Sequence, residues 1–561
     1  MAQDKQCSLL LEFASRFPLP HGARFSYGTA GFRSDGSILA STVFRAGILA
    51  ALRSLKTSST VGLMITASHN PVSDNGVKIA DPDGGMMTQR WEPFADAIAN
   101  APDPEHLLQL VKDFVKEENI PFGGEQSAEV LLGRDTRPSG ETLLKAAKHG
   151  INAIIGAVAV DMDILTTPQL HWMVRIKNKG MPASESDYLS QLSKSFSCLI
   201  DLVPKERVAD CSDTKLVVDG ANGVGGEKLE QLKKMLTGLD ICVRNTGKKG
   251  EGVLNEGCGA DFVQKEKITP SGFGPDDVGI RCASLDGDAD RLVYFLISSS
   301  SSKNIDLIDG DKILSLFAVF IKEQFDILNN NSDSDNKLAV RIGIVQTAYA
   351  NGASTSYLKQ LGLEVVLTPT GVKFLHKEAA KYDIGIYFEA NGHGTILFSE
   401  SFLLSLEARS KELASTSSGS ESHKAVLRLL AVSQLINQAV GDALSGLLLV
   451  EAVLQYKGWS IKRWNELYQD LPSRQLKVKV VDRNAVVTTN AETKVAKPLG
   501  LQELIDAETA KHPHGRCFVR PSGTEDIIRV YAEASTQEAA DSLARSVVQL
   551  VDRFLGFPSS H

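Results

Sequence analysis

Cysteine is sparse in this chain, and what there is lies scattered. Seven cysteines in 561 residues form no CxxC pair and no His/Cys cluster at zinc-binding spacing. That pattern argues against a disulfide scaffold and leaves reduced, buried thiols as the expected state. Positive charge is not in excess: the formal net charge is -8, which argues against a nucleic-acid partner or a polybasic membrane surface. A local anion site stays open, because a few arginines converging on one place override the global sign. Long apolar runs are missing too. The most apolar stretch, Ala425 to Leu454, is broken by Arg428, Gln434, Asn437, Gln438, Asp442 and Glu451. It predicts a core helix or helix pair, not a membrane span. Met1 to Gln6 mix charges and lead into no long apolar run, so no secretory signal is expected. The expectation is a soluble protein of a reducing compartment, most simply the cytoplasm (cytosol), with no membrane or nucleic-acid partner and no obligate protein partner evident.

What is present is ordinary globular material, 43% hydrophobic and 23% charged. Its length predicts about three to five domains. Short apolar runs open repeatedly into glycine-bearing loops and then into helical patterns: Val130-Leu131-Leu132 before Gly133-Arg134-Asp135-Thr136-Arg137, Leu216-Val217-Val218 before Asp219-Gly220, and Ala283-Ser284-Leu285 before Asp286. Strand, loop and helix in alternation predict α/β domains with parallel strands and helices on both faces. The last hundred or so residues differ: the alternation in Leu476 to Val480 and Ile527 to Tyr531 predicts half-exposed strands of a smaller α+β domain. The partition is 1–190, 191–300, 301–455 and 456–561. Ser298 to Ser302, Asn329 to Asn336 and Ser415 to Ser422 are polar stretches that predict surface loops.

Chemistry concentrates in the loops. Ile65-Thr66-Ala67-Ser68-His69-Asn70-Pro71 follows the apolar run Val61 to Met64, and the polar segment Val72 to Lys78 after it predicts a loop. A serine hydroxyl needs a base, a metal or fixed positive charge to act as a nucleophile, and His69 and Lys78 offer a base and a cation. An isolated Ser-His pair is an ordinary polar turn; further loops suited to a phosphate change its meaning. Asp286-Gly287-Asp288-Ala289-Asp290-Arg291 places three carboxylates at alternate positions behind a buried run. Such like charges are unfavourable without a cation, and hard oxygen donors suit Mg²⁺. Arg520-Pro521-Ser522-Gly523-Thr524-Glu525-Asp526, with Arg529 beyond it, offers guanidinium forks, hydroxyls and approachable backbone N–H groups to a phosphate. Glu389-Ala390-Asn391-Gly392-His393-Gly394 displays groups suited to hydrogen-bonding sugar hydroxyls, with a weaker metal reading for Glu389 and His393. Gly28-Thr29-Ala30-Gly31-Phe32-Arg33 adds small residues and an arginine.

These loops, in this order over nearly the whole chain, resemble the α-D-phosphohexomutases: GTxGxR, TASHNP followed by NGxK, DGDxDR, a sugar loop, and RxSGTE. The resemblance implies an α/β fold of three mixed-sheet domains plus a smaller C-terminal α+β domain around a central cleft. Two features differ from the glucose- and mannose-type members: Gly133-Arg134-Asp135-Thr136-Arg137 follows the serine loop instead of preceding it, and Asn391 stands where those members carry serine. Both resemble the eukaryotic branch acting on N-acetylglucosamine phosphates. The implied activity is interconversion of N-acetylglucosamine 6-phosphate and N-acetylglucosamine 1-phosphate, a step towards UDP-N-acetylglucosamine, through a phosphoserine and a 1,6-bisphosphate. The implied roles are Ser68 as phosphoryl carrier; Asp286, Asp288, Asp290 and a Ser68 phosphate oxygen as Mg²⁺ ligands; and Arg33 and Arg291 on the transferring group. His69 or Lys78 would exchange the proton. Glu389, Ala390, Asn391 and His393 would hold the sugar, and Arg520, Pro521, Ser522, Gly523, Thr524 and Arg529 the distal phosphate. A hexosamine 1,6-bisphosphate would serve as phosphorylating activator. The rival readings are a phosphoglucomutase or phosphomannomutase, a Mg²⁺-dependent sugar phosphatase, and a non-catalytic sugar-phosphate-binding protein.

Overall fold

Val61–Ile65 is buried at every position, as a continuous apolar run between polar flanks requires of a central strand. It is β2 of a five-stranded sheet with β1 (Phe32–Asp35), β3 (Asp74–Ala80), β4 (Ala128–Arg134) and β5 (Ala157–Ile164), ordered β1-β3-β2-β4-β5. β2, β4 and β5 run parallel, while β3 is antiparallel to both β1 and β2. Helices cover both faces. Val61, Leu63 and Ile65 join a core cluster with Val43, Ile48 and Leu52 of helix Ala40–Thr57. On the opposite side a Cβ at Gly62 would meet Val174 at 2.9 Å, on helix Thr167–Asn178.

This structure is a computed structural model that describes residues 2–29, 31–124, 126–204, 215–248, 250–299, 303–330, 340–522 and 526–556. Ala30, Gly523, Thr524, Glu525 and the expected loop residues 300–302 and 331–336 lie outside the described residues. The chain divides into two compact units, one of Met1–Gly310, Asn391–Ile396 and Arg409–Ile461, the other of Asp311–Ala390, Leu397–Ala408 and Lys462–His561.

The first unit holds a second sheet, β6 (Lys215–Asp219), β7 (Asp240–Arg244), β8 (Arg281–Leu285), β9 (Leu292–Ile297) and β10 (Ile305–Ile308), ordered β10-β9-β8-β6-β7. β6 is parallel to β7 and β8, and β9 turns back antiparallel to β8. The expected helix pair is there as Glu421–Leu435 and Ala443–Lys457. Its charged interruption has a partner: buried Glu451 pairs with Arg281 of β8 at 2.8 Å and accepts from the Tyr294 hydroxyl of β9 at 3.0 Å. Among the described residues no helix is long and apolar enough to cross a membrane.

The remaining strands are β11 (Ile342–Thr347), β12 (Glu364–Thr368), β13 (Ile384–Phe388) and β14 (Gly394–Phe398), ordered β12-β11-β13-β14, then the C-terminal set. β15 (Ser473–Lys479), β18 (Arg516–Pro521) and β19 (Ile527–Glu533) form an antiparallel sheet ordered β15-β19-β18, beside a hairpin of β16 (Val487–Thr489) and β17 (Lys494–Lys497). Helix Gln537–Leu555 packs Leu543, Ala544 and Val547 into the same core as Ile528 and Val530.

One expected loop is largely a strand, and another is shorter than expected. Val72 to Lys78 leads into β3, because Val77 and Ile79 point inward opposite Ile65 and Leu63. The polar residues that suggested a loop sit at the start of the strand or face the site. Gly76 is required there, since a Cβ would lie 2.6 Å from both the Phe32 and Thr66 carbonyl oxygens. In Ser415 to Ser422 the loop shrinks to residues 417–420: one helix runs to Thr416, and Ser420 caps the next, which starts at Glu421, by accepting from the His423 N–H.

Candidate active site

Two strand ends build the site in the first unit. β2 ends at Ile65, and three residues later Ser68 adopts a left-handed backbone with φ 50°, a strained conformation for a side-chain-bearing residue. β8 ends at Leu285 and releases Asp286. The two loops touch: a Cβ at Gly287 would fall 2.5 Å from the Ser68 carbonyl oxygen, so only glycine permits the approach. The Ser68 hydroxyl consequently donates to Asp286 Oδ2 at 2.6 Å.

Strain at Ser68 is held by buried partners. Arg137 pairs with Asp135 at 2.6 Å, both side chains wholly buried. Its guanidinium also donates to the carbonyls of Asn70 (2.7 Å), Asp74 (2.7 Å) and Ser68 (3.2 Å). Asp135 accepts from the Thr66 hydroxyl, and Asn255 donates to the Ser68 carbonyl at 2.8 Å. The segment Gly133 to Arg137 is thus a cradle for the serine loop. The sequence pattern of this segment does not announce that task, and Asn255 carries no local signal at all.

The three aspartates form a buried cluster whose ligand atoms all lie within 4.8 Å of one another. Burial and the neighbouring Asp290 and Asp288 push the Asp286 carboxyl well above its usual range. Burial and Asp290 oppose ionisation of Asp288 as well, but Lys78, the Thr167 hydroxyl and Arg33 hold it below the usual value. The Lys78 ammonium stands 3.2 Å from Asp288 and 3.4 Å from Asp290. Thr167, the first residue of its helix, donates its hydroxyl to Asp288 at 2.6 Å and its N–H to the Asp288 carbonyl. Among the described residues the Asp288 Oδ1 atom is buried without a hydrogen-bond partner. Three converging buried carboxylates with an uncompensated oxygen fit a hard divalent cation such as Mg²⁺. Thr167 escaped the sequence reading, although Thr166-Thr167-Pro168-Gln169 is a legible helix start with a reciprocal capping box.

Cations surround this cluster. Arg33 donates to the Asn70 side chain at 3.3 Å, and burial followed by Arg291 lowers its pKa. Arg291 pairs with Asp261 at 3.2 Å and lies 4.0 Å from Asp286. His69 Nδ1 is 3.5 Å from the Ser68 hydroxyl. Burial and Arg291 push its imidazolium down to about 3, so the ring is neutral near pH 7. His393 sits against the metal loop, with Nδ1 3.4 Å from Asp290. Asn391 turns back on the same loop to accept from the His393 N–H at 2.9 Å.

The second unit carries the other candidates. Glu389 and Ala390 follow directly on β13, both half-buried. Arg520 and Pro521 end β18, and Ser522 is buried, its N–H bonded to Ile527. Arg520 donates from Nε to the Tyr349 hydroxyl at 3.1 Å and stands directly opposite Arg529 on β19. Like charges in direct cross-strand register are unfavourable, which marks the pair as a place for an anion. Lys477 of β15 faces Arg529 from the other side, a third cation that the alternating pattern of a half-exposed strand does not single out.

Family models match four stretches. Residues 179–293 and 309–459 match phosphoacetylglucosamine mutase AMG1 domains II and III. Residues 47–103 and 96–183 match phosphoglucomutase/phosphomannomutase alpha/beta/alpha domain I, and residues 476–550 its C-terminal domain. A phosphoacetylglucosamine mutase of Oryza sativa subsp. japonica is 67% identical over 537 residues, 95% of this chain and 95% of that protein. The chain belongs to the phosphoacetylglucosamine mutase family. Two solved structures of this family are of the Aspergillus fumigatus N-acetylphosphoglucosamine mutase. One, in complex with GlcNAc-6P and magnesium, is 42% identical with a TM-score of 0.88, covering 97% of this chain and 98% of that one. The other, a variant in complex with glucose 1,6-bisphosphate, is 41% identical with a TM-score of 0.87, covering 98% and 99%.

Proposed function

We propose that the chain interconverts N-acetylglucosamine 6-phosphate and N-acetylglucosamine 1-phosphate, with Ser68 as the phosphoryl carrier. The observation that carries this reading is the Ser68 hydroxyl 2.6 Å from Asp286 at the rim of a buried three-carboxylate cluster. Family membership and the complexes of its relatives with GlcNAc-6P and with glucose 1,6-bisphosphate support it.

Phospho-Ser68 gives its phosphoryl group to the free hydroxyl of the bound monophosphate: the Oγ–P bond breaks, a sugar O–P bond forms, and the hydroxyl proton leaves. The 1,6-bisphosphate then turns, and its other phosphate returns to Ser68. Phosphoryl transfer demands little covalent help from a protein, so positioning and charge carry the rate. Asp286, Asp288 and Asp290, with a Ser68 phosphate oxygen, would hold Mg²⁺, which when bound supplies Lewis acidity at that oxygen. Arg33 and Arg291 steady the transferring group. His69 or Lys78 exchanges the hydroxyl proton. Glu389, Ala390, Asn391 and His393 bind the sugar. Arg520, Pro521, Ser522, Gly523, Thr524 and Arg529 bind the phosphate that is not reacting, and a hexosamine 1,6-bisphosphate recharges Ser68. The labour divides over 1–190 for the phosphoserine loop, 191–300 for the metal loop, 301–455 for the sugar loop and 456–561 for the phosphate loop. The compartment that suits this chemistry and the reduced thiols is the cytosol.

A mutase assay across hexose phosphates, with and without Mg²⁺, tests the reading. N-acetylglucosamine phosphates should turn over fastest, and only with the metal. Faster turnover of glucose or mannose phosphates would overturn the substrate assignment, and release of inorganic phosphate in place of isomer would overturn the mutase.

A further inference from the structure

A carboxylate stands where a phosphate clamp should least tolerate one. Lys477, Arg529 and Arg520 occupy one cross-strand row of the C-terminal sheet, yet Glu492 Oε1 lies 3.7 Å from Arg520 Nη1. Both side chains are largely shielded, 17% exposed for Arg520 and 20% for Glu492, so the charges are only partly screened. A negative group here competes with a negative ligand for the same guanidinium.

The carboxylate is held in place from two sides. Glu492 Oε2 accepts both the N–H (2.9 Å) and the hydroxyl (2.6 Å) of Thr370. The turn that presents it is strained: Asn490, Ala491 and Glu492 take left-handed backbone in succession, with φ 49°, 54° and 66°. One such residue without glycine is uncommon, and a run of three persists only where surrounding contacts over-determine it. Tyr349 meanwhile fixes the other side of Arg520, with its hydroxyl 3.1 Å from Nε and its ring 5.4 Å from the guanidinium carbon. Arg520 is therefore held between a phenol and an acid.

We propose that Glu492 is a positioning residue that tempers the clamp: its charge offsets part of the Arg520 attraction for phosphate, so that the bisphosphate can let go and turn. This rests on reading Arg520 as a contact of the non-reacting phosphate. A mutase must release that phosphate once in every cycle, and a clamp of uncompensated cations would trap the intermediate.

Glu492→Gln keeps an acceptor for Thr370 and removes the charge. The experiment measures KM and kcat for N-acetylglucosamine 6-phosphate, the dissociation constant of inorganic phosphate, and the melting midpoint, for wild type, Glu492→Gln, Glu492→Asp and Arg520→Ala. Glu492→Gln should bind both ligands about threefold to tenfold more tightly and lose kcat, with an unchanged midpoint. Glu492→Asp, which retains the charge one methylene further back, should fall between it and wild type. It carries the test by itself should the glutamine variant melt early. A merely structural Glu492 would raise KM or leave it alone, and that result in both variants overturns the inference. If Arg520→Ala weakens phosphate while Glu492→Gln fails to tighten it, only the tempering role falls. If Arg520→Ala has no effect on phosphate, the clamp reading beneath it falls as well.

Discussion

Thr167 reaches Asp288 with its hydroxyl at 2.6 Å and so orients a carboxylate that would otherwise rotate within its cluster. Partners of this kind typically carry tenfold to a hundredfold of metal affinity. Thr167→Val should weaken Mg²⁺ binding by roughly ten- to a hundredfold, read by calorimetric titration, with the melting midpoint of the apoprotein preserved. Asp288→Asn, which removes a ligand charge, should lose metal affinity and turnover together; normal turnover at limiting Mg²⁺ would show that the cluster holds no metal. His171 makes a different point at the same scale. It is buried, its Nδ1 stands 2.6 Å from the Gly84 carbonyl, and burial followed by Lys78 lowers its pKa from 6.5 to about 4. The unfolded chain therefore binds the proton first. The neutral ring's contribution is complete above about pH 6.5 and is lost as pH falls through about 4, roughly 3 kcal/mol in all. The midpoint of wild type should drop across that window more steeply than that of His171→Gln, and parallel curves would refute the assignment.

Helix Ala443–Lys457 shows how far an element can be read from its own residues. Its apolar pattern predicted a core helix, and Glu451 argued correctly against a membrane span. What the pattern could not supply was the partner set, because Arg281 and Tyr294 come from strands far back in the chain. Removing one member of a buried ion pair leaves the other charged and alone, at a cost of about 3–5 kcal/mol. Glu451→Ala should lower the thermal midpoint sharply without touching Mg²⁺ affinity, whereas an unchanged midpoint would mean the pair carries no net stability. Strand β3 is the opposite case. Asp74, Asn75 and Gly76 read as turn residues, yet the strand is specified by Val77 and Ile79 facing β2, a pairing known only once both strands are in place. The site followed the same division. Ser68, the three aspartates and the Arg520 segment stand out because their chemistry is local and dense in charge. Asn255, Thr167 and Arg137 act through long-range hydrogen bonds to backbone or to one carboxylate, so no spacing announces them.

For the whole molecule, function depends on loops that are distant in sequence. Ser68 and Asp286 meet through the glycine contact at Gly287, and the cluster they rim is buried where an unpaired set of carboxylates would be costly. Chelation of divalent cations should therefore stop turnover and raise the protonation of the cluster, while a fold carried by its separate cores should survive; loss of far-ultraviolet dichroism on chelation would point to a structural metal instead. The proposed cycle depends above all on Ser68 carrying the phosphoryl group. Intact-mass analysis with peptide mapping, on wild type and Ser68→Ala after incubation with hexosamine 1,6-bisphosphate and Mg²⁺ and alongside a turnover assay, tests it most directly. The wild type should carry one phosphoryl group on Ser68 and the variant none, and the variant should not turn over. Turnover near the wild-type level in Ser68→Ala, or a phosphoryl group on another residue of the active wild-type enzyme, would contradict it.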